Sequence, residues 1–304
     1  MEWIAYFLIG LFTGLTGAVM ASIEVFLVHE KKILTDAAIN GSDDGMMRGW
    51  LLYSLFSVTC AILASVLTVY YGPGATGSGI TELICYLNGV NYPKLMSFES
   101  LFTKIFGVIG AVVGNLCVGK EGPMAHIGAC IGAGVAYFPL PNFEYLRNDW
   151  TKRELISAGI SAGVSSAFGA PVGGALFAYE MSKPNTFWQF SVLWRSFFSC
   201  AVAVLTMSIV RQLMTGGNLN DITSVSELKF AATNVASPDL STIPAAIIIG
   251  IICGILGAGF IFFNLNLNKC RKKIIKWDWL KVIEVALFSF ATSSVFFWAP
   301  YKWN

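Results

Sequence analysis

This chain of 304 residues carries a net charge of only +2, with hydrophobic residues at 55% and charged residues at 12%. Its mean hydropathy is +0.65. Soluble domains hold roughly 25% charged residues, so the composition assigns the chain to a lipid bilayer, and a net charge of +2 is too small to suggest a nucleic-acid partner.

The first apolar run, residues 3 to 27, contains one charge, Glu24. It is too long for a cleavable signal peptide and lacks a basic start. Residues 29 to 48 read as a polar loop; within it Asn40-Gly41-Ser42 forms a glycosylation acceptor for the extracytosolic side. Residues 49 to 71 hold no Asp, Glu, Lys or Arg and are long enough to cross about 30 Å of hydrocarbon. After them comes Gly77-Ser78-Gly79-Ile80-Thr81, at the start of a short apolar run from Ile80 to Leu87. An anion entering a membrane gives up much of its hydration and has to be met by N–H and O–H donors and positive helix ends. Glycine-flanked amides and the Ser78 hydroxyl supply such donors. The same atoms would also make Ser78 a plain helix N-cap, and spacing does not separate the two readings.

Residues 98 to 118 form the next candidate span, and Gly119-Lys120-Glu121-Gly122-Pro123 follows it. A charge at membrane depth costs about 2.5–3.5 kcal/mol on insertion scales, which makes Glu121 a functional-site residue by default. Pro123 suits a first helical turn because it has no N–H to leave unpaired there. The acid is thereby aimed at the positive end of a helix. Residues 122 to 136, 154 to 167 and 170 to 180 are apolar but too short to cross, and Gly or Pro bounds them. Short, interrupted segments of this kind point to transporter and channel sites built from broken helices, where irregular backbone lines a cavity. The pairs Gly128/Gly132, Gly159/Gly163 and Gly250/Gly254 read as helix-packing spacings.

Three further spans run over 189 to 214 (with Arg195), 240 to 268 and 280 to 299. The basic residues set orientation: Lys269 to Lys276, and Arg147 with Lys152-Arg153, belong on the cytosolic side. Residues 215 to 241, with the single basic Lys229, belong outside or in a lumen. The seven cysteines show no metal spacing, and six fall in apolar segments; with only His29 and His126 besides, no metal site and no cofactor is expected.

Taken together, these motifs resemble the CLC family of chloride channels and chloride/proton exchangers. The family's first selectivity motif, Gly-Ser-Gly-Ile-Pro-Glu, appears as Gly77-Ser78-Gly79-Ile80-Thr81-Glu82; its second, Gly-Lys-Glu-Gly-Pro, stands intact at 119 to 123. A third stretch of family type runs from Ser165-Ser166-Ala167 through Gly169-Ala170-Pro171 to Phe177. The resemblance runs from about residue 3 to the C-terminus, and Phe143-Glu144-Tyr145-Leu146-Arg147 with Lys152-Arg153 looks most like the endosomal and lysosomal branch. It implies an all-α, polytopic membrane fold of tilted and broken helices in two inverted repeats. Residues 1–214 would be the first repeat, 215–241 an extracytosolic loop and 242–304 the start of a truncated second repeat. Chloride and the lipid bilayer are the implied partners, together with a second copy in a homodimer; the sequence does not report accessory subunits.

By the same resemblance Ser78 coordinates the central chloride, with Gly77, Gly79 and Ile80 shaping the site. Glu121 is the gate, framed by Gly119, Lys120, Gly122 and Pro123: its carboxylate imitates an anion and leaves when protonated or displaced. Two departures matter. Thr81 replaces the motif's proline, and Met181 occupies the position where exchangers relay protons through a glutamate, next to Glu180. A thioether carries no proton, so uncoupled, channel-like conduction is expected ahead of chloride/proton antiport. The chain also stops at Asn304, before the Gly-x-Phe-x-Pro motif, the anion-coordinating tyrosine and the cytosolic CBS pair. A fragment that does not conduct alone, or a non-conducting regulatory half-subunit, is the expectation from that. The compartment, endosomal/lysosomal or plasma membrane, is not distinguished.

An enzyme is not expected. Residues 114 to 120 have P-loop spacing, yet Glu121 stands where Ser or Thr would hold magnesium. An intramembrane serine protease would pair Ser78 with His126 by a hydrogen bond between nucleophile and base.

Overall fold

The computed structural model describes residues 2–41, 45–92, 94–138, 144–182, 190–215 and 242–302, and every regular element among them is helical. Ten α-helices follow in chain order: α1 (Glu2–Asn40), α2 (Gly45–Val66), α3 (Ile80–Leu87), α4 (Phe98–Val113), α5 (Glu121–Ala136), α6 (Asp149–Phe168), α7 (Pro171–Ser182), α8 (Phe190–Thr215), α9 (Thr242–Ile274) and α10 (Asp278–Lys302). Five stretches are long and apolar enough to cross a bilayer: Glu2–Asn40, Gly45–Tyr71, Phe190–Met214, Thr242–Ile274 and Asp278–Ala299. The protein is therefore a multi-pass membrane protein. Its contacts divide into two units, Met1–Leu228 with Val282–Asn304, and Lys229–Lys281.

In the first unit the core is the pair α5 and α6. Gly128 lies against the backbone of Gly159, Gly163 against the carbonyl of Met124, and a Cβ on Gly132 would stand 2.5 Å from the Leu155 carbonyl oxygen. Small residues let the two backbones touch, which is how helices associate where lipid tails are as apolar as any side chain. The packing reading of Gly128/Gly132 and Gly159/Gly163 matches this geometry. Helices α1 and α8 pack beside the pair by the same device: Cβ atoms on Gly10 and Gly14 would collide with the Ser199 and Ala203 carbonyls. Arg195, which shares the span 189 to 214 with one other charge, Arg211, pairs with Glu2 at 2.7 Å and Glu154 at 3.8 Å.

The second unit holds α9. It has no buried residue among those described, and Gly250 and Gly254 meet no packing partner within that unit. Three expectations need correction. The polar loop 29 to 48 is mostly helix, because α1 continues to Asn40 with Lys31 and Thr35 buried on one face. Asn40 is exposed at the end of that helix, while Ser42 of its sequon lies outside the described residues, as does the expected loop 215 to 241. The span 98 to 118 is helical only to Val113, since Gly114 caps it and Asn115 turns to φ +55°. The basic cluster lies largely on α9 itself: Arg271, Lys272 and Lys273 fill its last turn, where cations favour the negative end of the helix dipole.

Candidate functional site

The polypeptide leaves α2 through a π-helical turn (Leu67–Tyr71) and a 3₁₀ turn (Pro73–Ala75), then reaches Gly77 at φ +68° and Gly79 at φ +83°. Both conformations are left-handed and suit glycine. Gly79, not Ser78, is the N-cap of α3. Ser78 stands exposed between the glycines, and its Oγ accepts the Ile80 N–H at 3.3 Å. This is a local serine turn that uses the hydroxyl as acceptor and leaves its O–H to donate elsewhere.

The second motif opens α5. Lys120 is the N-cap, Glu121 the first helical residue and Pro123 lies in the first turn. Glu121 is half-buried, and its carboxylate folds back against Gly119, where any Cβ would collide with Oε2. Gly122 lets this turn approach the first motif: a Cβ there would stand 2.7 Å from Ser78 Cβ and 3.3 Å from Ile80 Cδ1. Gly77, Ser78, Gly119 and Pro123 share the wall of one cavity of about 440 Å³ with Thr68 and Lys104. Two motifs some forty residues apart in sequence are thus brought to one space by missing side chains.

Lys104 is the residue sequence reasoning passed over. It is buried in α4, and its Nζ donates to the carbonyls of Ala75 at 2.9 Å and Gly77 at 2.7 Å. The signal was present: a single cation inside the apolar run Phe98–Val113 is costly unless it is paired or functional. In this position it ties down the backbone just ahead of Ser78 and adds positive potential to the cavity.

His126 is fully buried, its Nε2 hydrogen-bonded to the Leu95 carbonyl at 2.9 Å, while Nδ1 faces the Cα of Gly79. Among the described residues Nδ1 has no hydrogen-bond partner, and the hydrogen bond of Ser78 Oγ runs to Ile80. The nucleophile–base contact that a serine protease requires is not formed among the described residues. Met181 is buried in an apolar cluster with Leu83, Leu87, Ile156 and Ile160, and Glu180 is exposed. The third sequence stretch forms the α6–α7 corner, with Gly169 at φ +66° ending α6 and Pro171 opening α7.

The comparisons with known proteins agree with this architecture. A family model described as voltage gated chloride channel matches residues 60–303. The human H(+)/Cl(−) exchange transporter 7 is 36% identical over 311 residues, covering 97% of this chain and 38% of its own length. Chloride channel protein D of Dictyostelium discoideum is 32% identical over 308 residues, covering 99% of this chain and 30% of its own. The chain thus spans about two fifths or less of the length of these relatives. Among solved structures, a slow cyanobacterial Cl−/H+ antiporter superposes with a TM-score of 0.75 at 22% identity, covering 96% of this chain and 63% of its own. A eukaryotic CLC transporter gives 0.72 at 23% identity, with 96% and 49% covered. At such identities the structures speak for the fold, and the sequence relatives and the family model speak for descent. The chain belongs to the CLC family of voltage-gated chloride channels.

Proposed function

We propose that this chain supplies half of a pathway that carries chloride across a membrane, with Ser78 as coordinating residue and Glu121 as gate. The observation that carries this reading is the single cavity onto which Gly77-Ser78 and Gly119/Pro123 open, with the Glu121 turn packed on Ser78 through Gly122. An unspent hydroxyl donor, a helix N-terminus and the Lys104 ammonium offer an anion the positive potential it needs, without a bulky cation in its way. A carboxylate is the one side chain able to occupy an anion's place when charged and give it up when protonated. Residues 1–214 serve as the first inverted repeat and 242–304 as the opening of the second, with two copies pairing as a homodimer.

Conduction uncoupled from protons is the first reading. Met181 offers no titratable group, and the neighbouring carboxylate of Glu180 is exposed rather than turned into the cluster around Met181. Antiport is the second, favoured by relatives whose own name is H(+)/Cl(−) exchange transporter. Chloride efflux from liposomes, with external pH followed in the same cuvette, tests both. Chloride flux without proton movement supports the first; flux locked to protons replaces it with the second. No flux from the 304-residue chain, combined with flux once the remaining length of its relatives is supplied, places the conducting unit in the longer protein.

A further inference from the structure

Residues 116–120, which join α4 to the acid-bearing turn of α5, form no helix, and both ends of this strap are held by α1. At its start α4 closes with a Schellman motif: Leu116 N–H donates to Ala111 O at 3.1 Å and Asn115 N–H to Val112 O at 3.0 Å, with Asn115 left-handed at φ +55°. Two carbonyls remain. That of Gly114 accepts Ser289 Oγ at 2.7 Å, and that of Val113 accepts Lys31 Nζ at 2.8 Å. The other Lys31 donors reach Asn115 Oδ1 at 3.0 Å and Ser57 Oγ at 3.3 Å, and Asn115 Nδ2 donates to Tyr53 OH at 2.8 Å. At the far end Lys120 pairs with Glu24 at 3.7 Å. Glu24 and Lys31 are both buried and stand seven residues apart, two turns along one face of α1 and about 10.5 Å in rise.

Burying an ammonium costs far more than a cation at a helix C-terminus returns. Capping α4 does not account for a lysine in this place; fixing geometry does. We infer that Lys31 is a positioning residue for the gate: it holds Val113 and Asn115 so that the strap starts from one point, and with Glu24 on Lys120 it sets where the Glu121 carboxylate lies against Gly119. The inference rests on the reading of Glu121 as the gate.

Cys117 is exposed within the strap and serves as a native reporter, while Cys130 and Cys200 are buried and report on the fold. A nitroxide is attached to Cys117 of the purified protein, with the partly exposed Cys60 and Cys85 and the exposed Cys253 and Cys270 changed to Ser. Lys31→Met and Asn115→Gly should narrow its spectrum while Cys130 and Cys200 stay unreactive. Asn115→Gly keeps the left-handed turn and removes the amide. It therefore decides the matter if Lys31→Met fails to fold: an unchanged spectrum in that variant overturns the proposal. In flux measurements on the conducting protein, Lys31→Met should shift the pH profile when Glu121 is present and have no effect in the Glu121→Ala background. A loosened strap with an unshifted profile removes the gating role from Lys31. Retention of the wild-type pH dependence by Glu121→Ala alone removes it from Glu121 instead, and the spectroscopic result still stands.

Discussion

Helices α5 and α9 invert the usual relation between apolarity and burial. Helix α9 is the most hydropathic of the five candidate spans and has no buried residue among those described, whereas α5 is built largely of Gly and Ala and is almost wholly buried. In water the more apolar helix would be the one inside. In a bilayer, lipid satisfies Ile and Phe as well as a protein interior does, so close backbone approach decides what lies within. Small residues mark the points where backbones touch inside the first unit, with Leu and Ile filling the space between its helices.

Substitutions that fill the gaps give the largest expected effects. Gly159→Leu or Gly128→Leu drives a side chain into the facing backbone, which no rotamer change relieves; overpacking costs about 1–3 kcal/mol in ordinary cores and more here. Loss of monodisperse, folded protein is the expected result by size exclusion in detergent. Gly250→Leu and Gly254→Leu should leave the elution profile and thermal midpoint unchanged. Equal damage from both sets would break the comparison.

Next in size is Lys104→Met. It strands the carbonyl of buried Ala75, at about 1–3 kcal/mol for a group left unpaired and dry, and frees that of exposed Gly77. A lower thermal midpoint together with weaker chloride flux is expected, and unchanged flux would separate Lys104 from the site. Glu121→Gln and Glu121→Ala come next: on the proposed role of Glu121 as gate, wild-type flux should rise as pH falls. Both variants should conduct at the acid level at every pH. Smallest is Ser78→Ala. A single hydroxyl donor contributes about 0.5–1.5 kcal/mol, so chloride affinity should fall roughly two- to tenfold in an isotope-exchange titration. Ser78→Pro should turn the preference towards nitrate, and unchanged anion permeability ratios would remove Ser78 from selectivity.

Much of this arrangement was legible in residue order. The starts of α2, α5, α8 and α10 fall within a few residues of where apolar runs, Gly and Pro place them, and the two Gly-flanked motifs lie where the site forms. Residues 29 to 40, the helical part of the expected loop 29 to 48, read as a loop because Lys31, Lys32 and Asp36 look like solvated surface; only one of the three, Lys31, is buried, on partners 26 to 84 residues away. Lys104 was missed for a similar reason. Its position in an apolar run was visible, but its acceptors are carbonyls, which carry no sequence signature.

By itself the sequence determined the membrane setting, the division into long and broken helices, the family and the positions of the two motifs, because hydropathy, Gly and Pro act locally along the chain. Only the tertiary structure decided that Gly122 seats the acid-bearing turn on Ser78, that α5 and α6 form the interior, and that Lys31 and Lys104 hold the backbone around the cavity. Those outcomes depend on which donor meets which acceptor and which backbone lacks a Cβ at the point of contact. Both are properties of residues far apart in the chain, and both come into existence only when the helices pack.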